Sequence, residues 1–189
     1  MCAFFGRMDN TMKLEIETYG ADVLRRAAKP VAQITDEIRA LAKDMIETMH
    51  EADGVGLAAE QVGHEESICV IDIPKGADKN KDAETFNEGI VMPLVLINPR
   101  ITAQEGSQRG SEGCLSFPEI HGQITRAMQV TVEYTDLDGK GQTVTARGLL
   151  ARAIQHELDH LAGTLMIDKF SQLQKMAVNG KLRRLAAAK

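Results

Sequence analysis

The chain has no tryptophan, and its aromatic side chains are limited to two tyrosines and five phenylalanines. So few rings, with a formal net charge of -5, argue against a base-stacking platform or a dedicated nucleic-acid surface, and no specific DNA partner is expected. Cysteine is scarce too. Cys2, Cys69 and Cys114 form an odd set with no paired spacing, which speaks against a disulfide framework and for a reducing compartment. No apolar run approaches the ~18 residues of a membrane span, and the first residues lack a charged-then-apolar signal pattern. A cytoplasmic location without a membrane partner is therefore expected. No linker-like stretch divides the 189 residues, of which 43% are hydrophobic. That is enough for one domain with a substantial core.

Against these absences stands His156-Glu157-Leu158-Asp159-His160. On a helix, residues four apart share one face, so both imidazoles can hold one divalent metal. Such a metal acidifies its water, and Glu157 is placed to take that proton and later return it. An ordinary amphipathic helix would also tolerate two histidines and a glutamate. The flanking Leu149, Leu150, Ala153, Ile154, Leu158 and Leu161 favour the metal, because they turn the imidazoles inward, where unpaired rings would be costly.

A catalytic site of this kind needs a third protein ligand and an open position. One protease class supplies a third histidine after a glycine; here Gly163 has the right offset, but Met166 replaces the histidine, and a thioether is a poor ligand for such a cation. Another class uses a downstream glutamate. From Leu161 to Lys189 there is no Glu, His or Cys, and Asp168 is the only side-chain carboxylate. The search therefore moves upstream, to His50, His64, His121, Cys2, Cys69 and Cys114. Cys114 stands apart, next to a glycine in Glu112-Gly113-Cys114-Leu115-Ser116, where a metal would hold it as thiolate. Cys69 lies in a run that reads as a buried strand, and Cys2 in a loose terminus.

Three ordered segments, Gly54-Val55-Gly56-Leu57-Ala58-Ala59-Glu60-Gln61, Glu112-Gly113-Cys114-Leu115-Ser116 and Gln155-His156-Glu157-Leu158-Asp159-His160, resemble the three motifs of the peptide deformylases. Tyr19-Gly20, Val23-Leu24-Arg25 and Lys29-Pro30-Val31 match the start of that pattern, so the resemblance runs roughly from Met12 to Phe170. It implies that Cys114, His156 and His160 bind one divalent ion and that Glu157 is the general acid and base. The ion implied is ferrous iron in the cell, with nickel, cobalt or zinc also accepted. Iron beside a thiolate predicts sensitivity to oxygen or peroxide. Gln61 and the backbone N–H of Leu115 are implied as donors to the oxygen that becomes negative during attack. The implied reaction hydrolyses N-formylmethionyl nascent peptides and releases formate.

Val55, Gly56, Leu57 and Leu115, with part of the third-motif helix, are expected to contact substrate and to line an apolar pocket for the methionine side chain. Glu112 and Arg126 are expected to support the ligands, since metal-bound histidines donate their outer N–H to an acceptor; for Arg126 a surface ion pair is an equal alternative. His121 follows Pro118 where some relatives carry a basic residue near the peptide, and reads first as a solvated histidine. Two rival functions remain, a metallopeptidase on the same helix and a noncatalytic translation-associated metal binder. The missing downstream ligands count against the first. Retention of Glu157 and Gln61 counts against the second, because a structural site needs neither.

The fold expected is α+β: antiparallel sheets packed around a central metal-binding helix, with an N-terminal and a C-terminal helix. The pattern gives helices over 35–53 and 149–162 and strands over 67–73, 94–97, 130–135 and 143–146. Residues 75–92, dense in Lys, Asp and Glu, read as a mobile insertion, more a surface loop than a lid. Residues 12–189 form the expected catalytic domain, and 1–11 precede it as an extension or a tag remnant. The tail from Lys169 carries Lys169, Lys175, Lys181, Arg183, Arg184 and Lys189 and no acid, on a helix opened by the capping-box pattern Ser171-Gln172-Leu173-Gln174. It reads first as a solvated helix whose basic end suits its dipole; the resemblance adds ribosome docking as a second reading.

Overall fold

The computed structural model describes residues 13–188; the extension 1–11 and Cys2 lie outside the described residues. Its larger sheet has five antiparallel strands in the order β1 (Gly56–Ala58), β2 (Ile68–Ile71), β3 (Leu94–Glu105), β6 (Gln129–Thr135) and β7 (Gly141–Arg147). The smaller sheet is a hairpin of β4 (Gln108–Glu112) and β5 (Gly122–Arg126). Among the described residues four α-helices, α1 (Asp36–Glu51), α2 (Lys81–Asn87), α3 (Gly148–Leu161) and α4 (Gln172–Ala187), and three single-turn 3-10 helices complete the element set. The expected α+β architecture is present. Among the described residues no helix is long and apolar enough to cross a membrane.

Strand β2 explains how the larger sheet is held. All four of its residues are buried, because both faces are covered and successive side chains point in opposite directions. Ile68 and Val70 join Leu41, Met45 and Met49 of α1, whereas Cys69 and Ile71 join Leu150, Ala151 and Ile154 of α3. The sheet thus lies between the two helices. A third cluster, with Leu24, Phe117, Ile120, Ile124 and Phe170, fills the space beside the hairpin.

Helix ends follow their local chemistry. Thr35 caps α1, its hydroxyl accepting from the Ile38 N–H, and Ser171 with Gln174 forms the capping box of α4. Val178, Leu182 and Leu185 of α4 pack on the third cluster, and its basic side chains face outward. The strand expected over 94–97 extends through Glu105, because pairing with β6 continues past the apolar run. Residues 75–92 depart most from expectation: they contain α2, which packs against β7 and α3. Asn80 caps it, and Ala83 is buried beneath it.

Candidate active site

Helix α3 presents His156 and His160 one turn apart, both buried, with ring centroids 5.1 Å apart. The chain segment after β4 brings Cys114 to them, its Sγ 3.2 Å from His160 Nε2. One donor atom from each of the three residues lies within 4.8 Å of the others. A thiolate and two imidazoles within that span suit a divalent transition metal with an open position. Four other ligand candidates are engaged elsewhere: Asp168 pairs with Arg25, His50 with Asp72 and His64 with Glu66, and Cys69 is in the core.

Glu112 organises this set. Its Oε2 lies 3.0 Å from His156 Nδ1, and it takes hydrogen bonds from Arg126 Nε (2.9 Å), Arg126 Nη2 (2.8 Å) and Arg152 Nη1 (2.8 Å). The Arg126 and Glu112 side chains are only 3% and 4% exposed, so this is an interior pair and not a surface one. Burial alone would raise the Glu112 carboxyl, but Arg126 and His156 hold it far below the usual range. Arg126 also bonds Asp159 and the Gln155 carbonyl, tying β5 to α3.

Glu157 is buried beside the ligands, and burial pushes its carboxyl up to about 7, with His156 and Arg126 opposing. A carboxyl in that range can both take and give a proton near neutral pH. Its Oε1 occupies the space a side chain at position 56 would need, so any residue but glycine there would have to displace Glu157 or the loop. Gln61 is anchored by its oxygen, which accepts the Ala58 N–H at 2.9 Å. Its amide nitrogen consequently faces Ser116 Oγ (3.2 Å) and Cys114 Sγ (3.4 Å).

Gln61, Glu112, Cys114, His156 and Glu157 border a cavity of about 590 Å³. Val55, Gly56, Gln61, Cys114 and Leu115 line it. Leu57 does not: its side chain is fully buried in the cluster under α1, since it points to the other face of β1. Leu149 and Ala153 are the apolar side chains of α3, the third-motif helix, that line the wall. His121 also lines the cavity, with its ring against Gly113. Sequence reasoning missed Arg152 and Ser116. Arg152 lies one helical turn before His156, a spacing that could have suggested a shared partner for the two.

The chain matches the polypeptide deformylase family over residues 13–176. A peptide deformylase of Nitrosococcus oceani is 46% identical over 168 residues, covering 89% of this chain and 93% of that one. The solved peptide deformylase of Synechococcus elongatus in complex with actinonin is 41% identical, with a TM-score of 0.76 over 89% of this chain and 87% of its own. That of Thermus thermophilus is 36% identical, with a TM-score of 0.80 over 94% of this chain and 100% of its own.

Proposed function

The chain belongs to the peptide deformylase family, and we propose that Cys114, His156 and His160 hold its metal while Glu157 and Gln61 act on the substrate. The enzyme is a metal-dependent hydrolase that removes the N-formyl group from the initiator methionine of nascent polypeptides and releases formate. The metallopeptidase and noncatalytic readings are not favoured.

A divalent ion in this donor set acidifies water and polarises a carbonyl. Glu157 takes the proton of the attacking water and delivers it to the leaving amine. Gln61 Nε2 and the Leu115 N–H donate to the formyl oxygen as it gains negative charge. Glu112 holds His156 by its outer nitrogen, with Arg126 and Arg152 balancing its charge. Val55, Gly56 and Leu115, facing Leu149 and Ala153, receive the methionine side chain. Within the cell the ion is ferrous iron, for which nickel, cobalt or zinc can substitute, as the mixed sulfur and nitrogen donors allow.

The observation that carries this reading is one thiol and two imidazoles with donor atoms within 4.8 Å of one another, set against a cavity that Cys114, His156, the buried Glu157 and the anchored Gln61 amide all line. Its test is formate release from a formylmethionyl tripeptide by protein purified without oxygen and reloaded with ferrous iron or nickel. Glu157→Ala is expected to retain the metal and lose formate release. Full release by the metal-loaded variant would remove Glu157 from the mechanism.

A further inference from the structure

We propose that residues 75–92 clamp the first turn of α3 and thereby set the position of Leu149 in the wall of the substrate cavity, with Asp78 as the positioning residue. The inference rests on the deformylase reading of that cavity and extends it to a segment remote from the metal ligands.

Helix α3 has no cap of its own, because its N-cap residue, Arg147, makes no side-chain capping bond. The leading N–H groups of a helix need an acceptor. Asp78 provides one from another part of the chain: its Oδ2 accepts the Leu149 N–H at 2.7 Å, and its Oδ1 accepts the Asn80 N–H at 2.9 Å. Its carboxylate also suits the positive end of the helix dipole. The side chain of Asn87, at the other end of α2, makes a reciprocal pair with the Arg147 backbone, donating to its carbonyl and accepting from its N–H, both at 3.0 Å. The Phe86 ring lies 4.1 Å below the Arg147 guanidinium. Between these anchors Gly148 has φ +59°, and a Cβ there would come within 2.6 Å of the Ala83 methyl. Three successive residues, Arg147 to Leu149, are therefore gripped by one segment.

The later part of α3 is fixed independently. Gln155 exchanges hydrogen bonds with the backbone of Ala127, and Arg126 binds the Gln155 carbonyl and Asp159. Release of the clamp should thus loosen the first turn while His156, Glu157 and His160 keep their places. Leu149 and Ala153 are the α3 side chains on the apolar wall. A long side chain that reaches this wall depends on its position, and a methyl group does not.

The test compares Asp78→Ala, Asn87→Ala and Asp78→Asn with the wild type, all metal-loaded, on formyl-Met and formyl-Ala tripeptides of otherwise identical sequence. For the two alanine variants, kcat/KM for the formyl-Met peptide is expected to fall about fivefold, the size of one lost helix cap, and mainly through KM. The formyl-Ala value is expected to stay within about twofold on the same basis. Asp78→Asn keeps an acceptor for the Leu149 N–H and should restore the ratio. Faster hydrogen exchange at the Leu149 amide, with unchanged exchange around His156, is the expected readout without substrate. An unchanged formyl-Met to formyl-Ala ratio in both alanine variants, even with a lowered melting temperature, would overturn the clamp and leave a structural role alone. If Asp78→Ala fails to fold, Asn87→Ala decides. Formate release by the wild type tests the deformylase reading separately.

Discussion

Glu112 Oε2 lies 3.0 Å from Nδ1 of His156, and the same carboxylate is gripped by Arg126 and Arg152. One buried anion thus faces the ring of a candidate metal ligand and pairs with two arginines, one of which, Arg126, also pairs with Asp159. Glu112→Gln should lower metal affinity roughly 10- to 100-fold, the usual effect of losing such a partner. It should also destabilise the fold by about 3–5 kcal/mol, since the arginines lose their counter-charge in the interior. Competition with a chelator and urea unfolding measure the two effects, and unchanged metal affinity would separate Glu112 from the site.

Gln61→Ala removes a donor whose oxygen end is fixed by Ala58. The expected cost is about 3 kcal/mol in the transition state, or roughly 100-fold in kcat, with KM and metal content little changed. A loss confined to KM would make Gln61 a binding residue.

Gly56→Ala places a methyl where Glu157 Oε1 now lies. Glu157, the proposed general base, must move, so kcat should fall at least about 100-fold, the scale of lost acid–base catalysis. Metal content should be unaffected. Near-normal kcat would mean that the first-motif loop yields instead.

Glu60 gives a pH prediction. It is fully buried, neither oxygen makes a hydrogen bond among the described residues, and burial pushes its carboxyl up to about 7, its own backbone amide opposing and Glu157 and Glu66 adding. Below about pH 4.5 the carboxyl is neutral folded or unfolded and adds nothing to the pH dependence. Between there and about 7 the unfolded chain has released a proton that the folded chain retains, so stability falls as pH rises and then levels off. The whole loss is on the order of 3 kcal/mol. Glu60→Gln should flatten that slope and be more stable than wild type at pH 8, as urea unfolding at pH 5 and 8 would reveal. Parallel slopes would place the pH dependence elsewhere.

The basic tail calls for charge reversal and not deletion. Because Val178, Leu182 and Leu185 pack beside Phe117 and Ile120, removing α4 would disturb the cavity rim as well as any outward surface. Lys175→Glu, Arg183→Glu and Arg184→Glu together leave that packing in place. If α4 is simply a solvated helix, ribosome co-sedimentation will be unchanged and activity on a tripeptide retained. Loss of co-sedimentation alone would establish docking through this face.

Local signals are readable where the chemistry is local. The 3.6-residue period, Thr35 and Ser171 as caps, and alternation over Val130, Val132 and Tyr134 place α1, α4 and β6 within a few residues. The hairpin of β4 and β5 is not legible in the same way, because Gln108-Arg109-Gly110-Ser111-Glu112 has neither apolar alternation nor a strong turn signal. Its pairing brings Glu112 and Arg126 together on one face of the hairpin, against Arg152 of α3. The charged insertion reads as solvated because nothing near Asp78 in sequence reveals an uncapped helix 71 residues away.

By itself the sequence determined the ligand-bearing helix, since residues four apart on a helix must share a face, and it determined the three-motif order that identifies the family. Tertiary structure alone decided which distant groups complete the site. Arg152 joins Arg126 on Glu112, Leu57 turns from the cavity into the core under α1, and Asp78 caps α3 from 71 residues away. Contacts of that kind depend on which chain segments the packed core brings within hydrogen-bonding distance, and no local pattern encodes such distances.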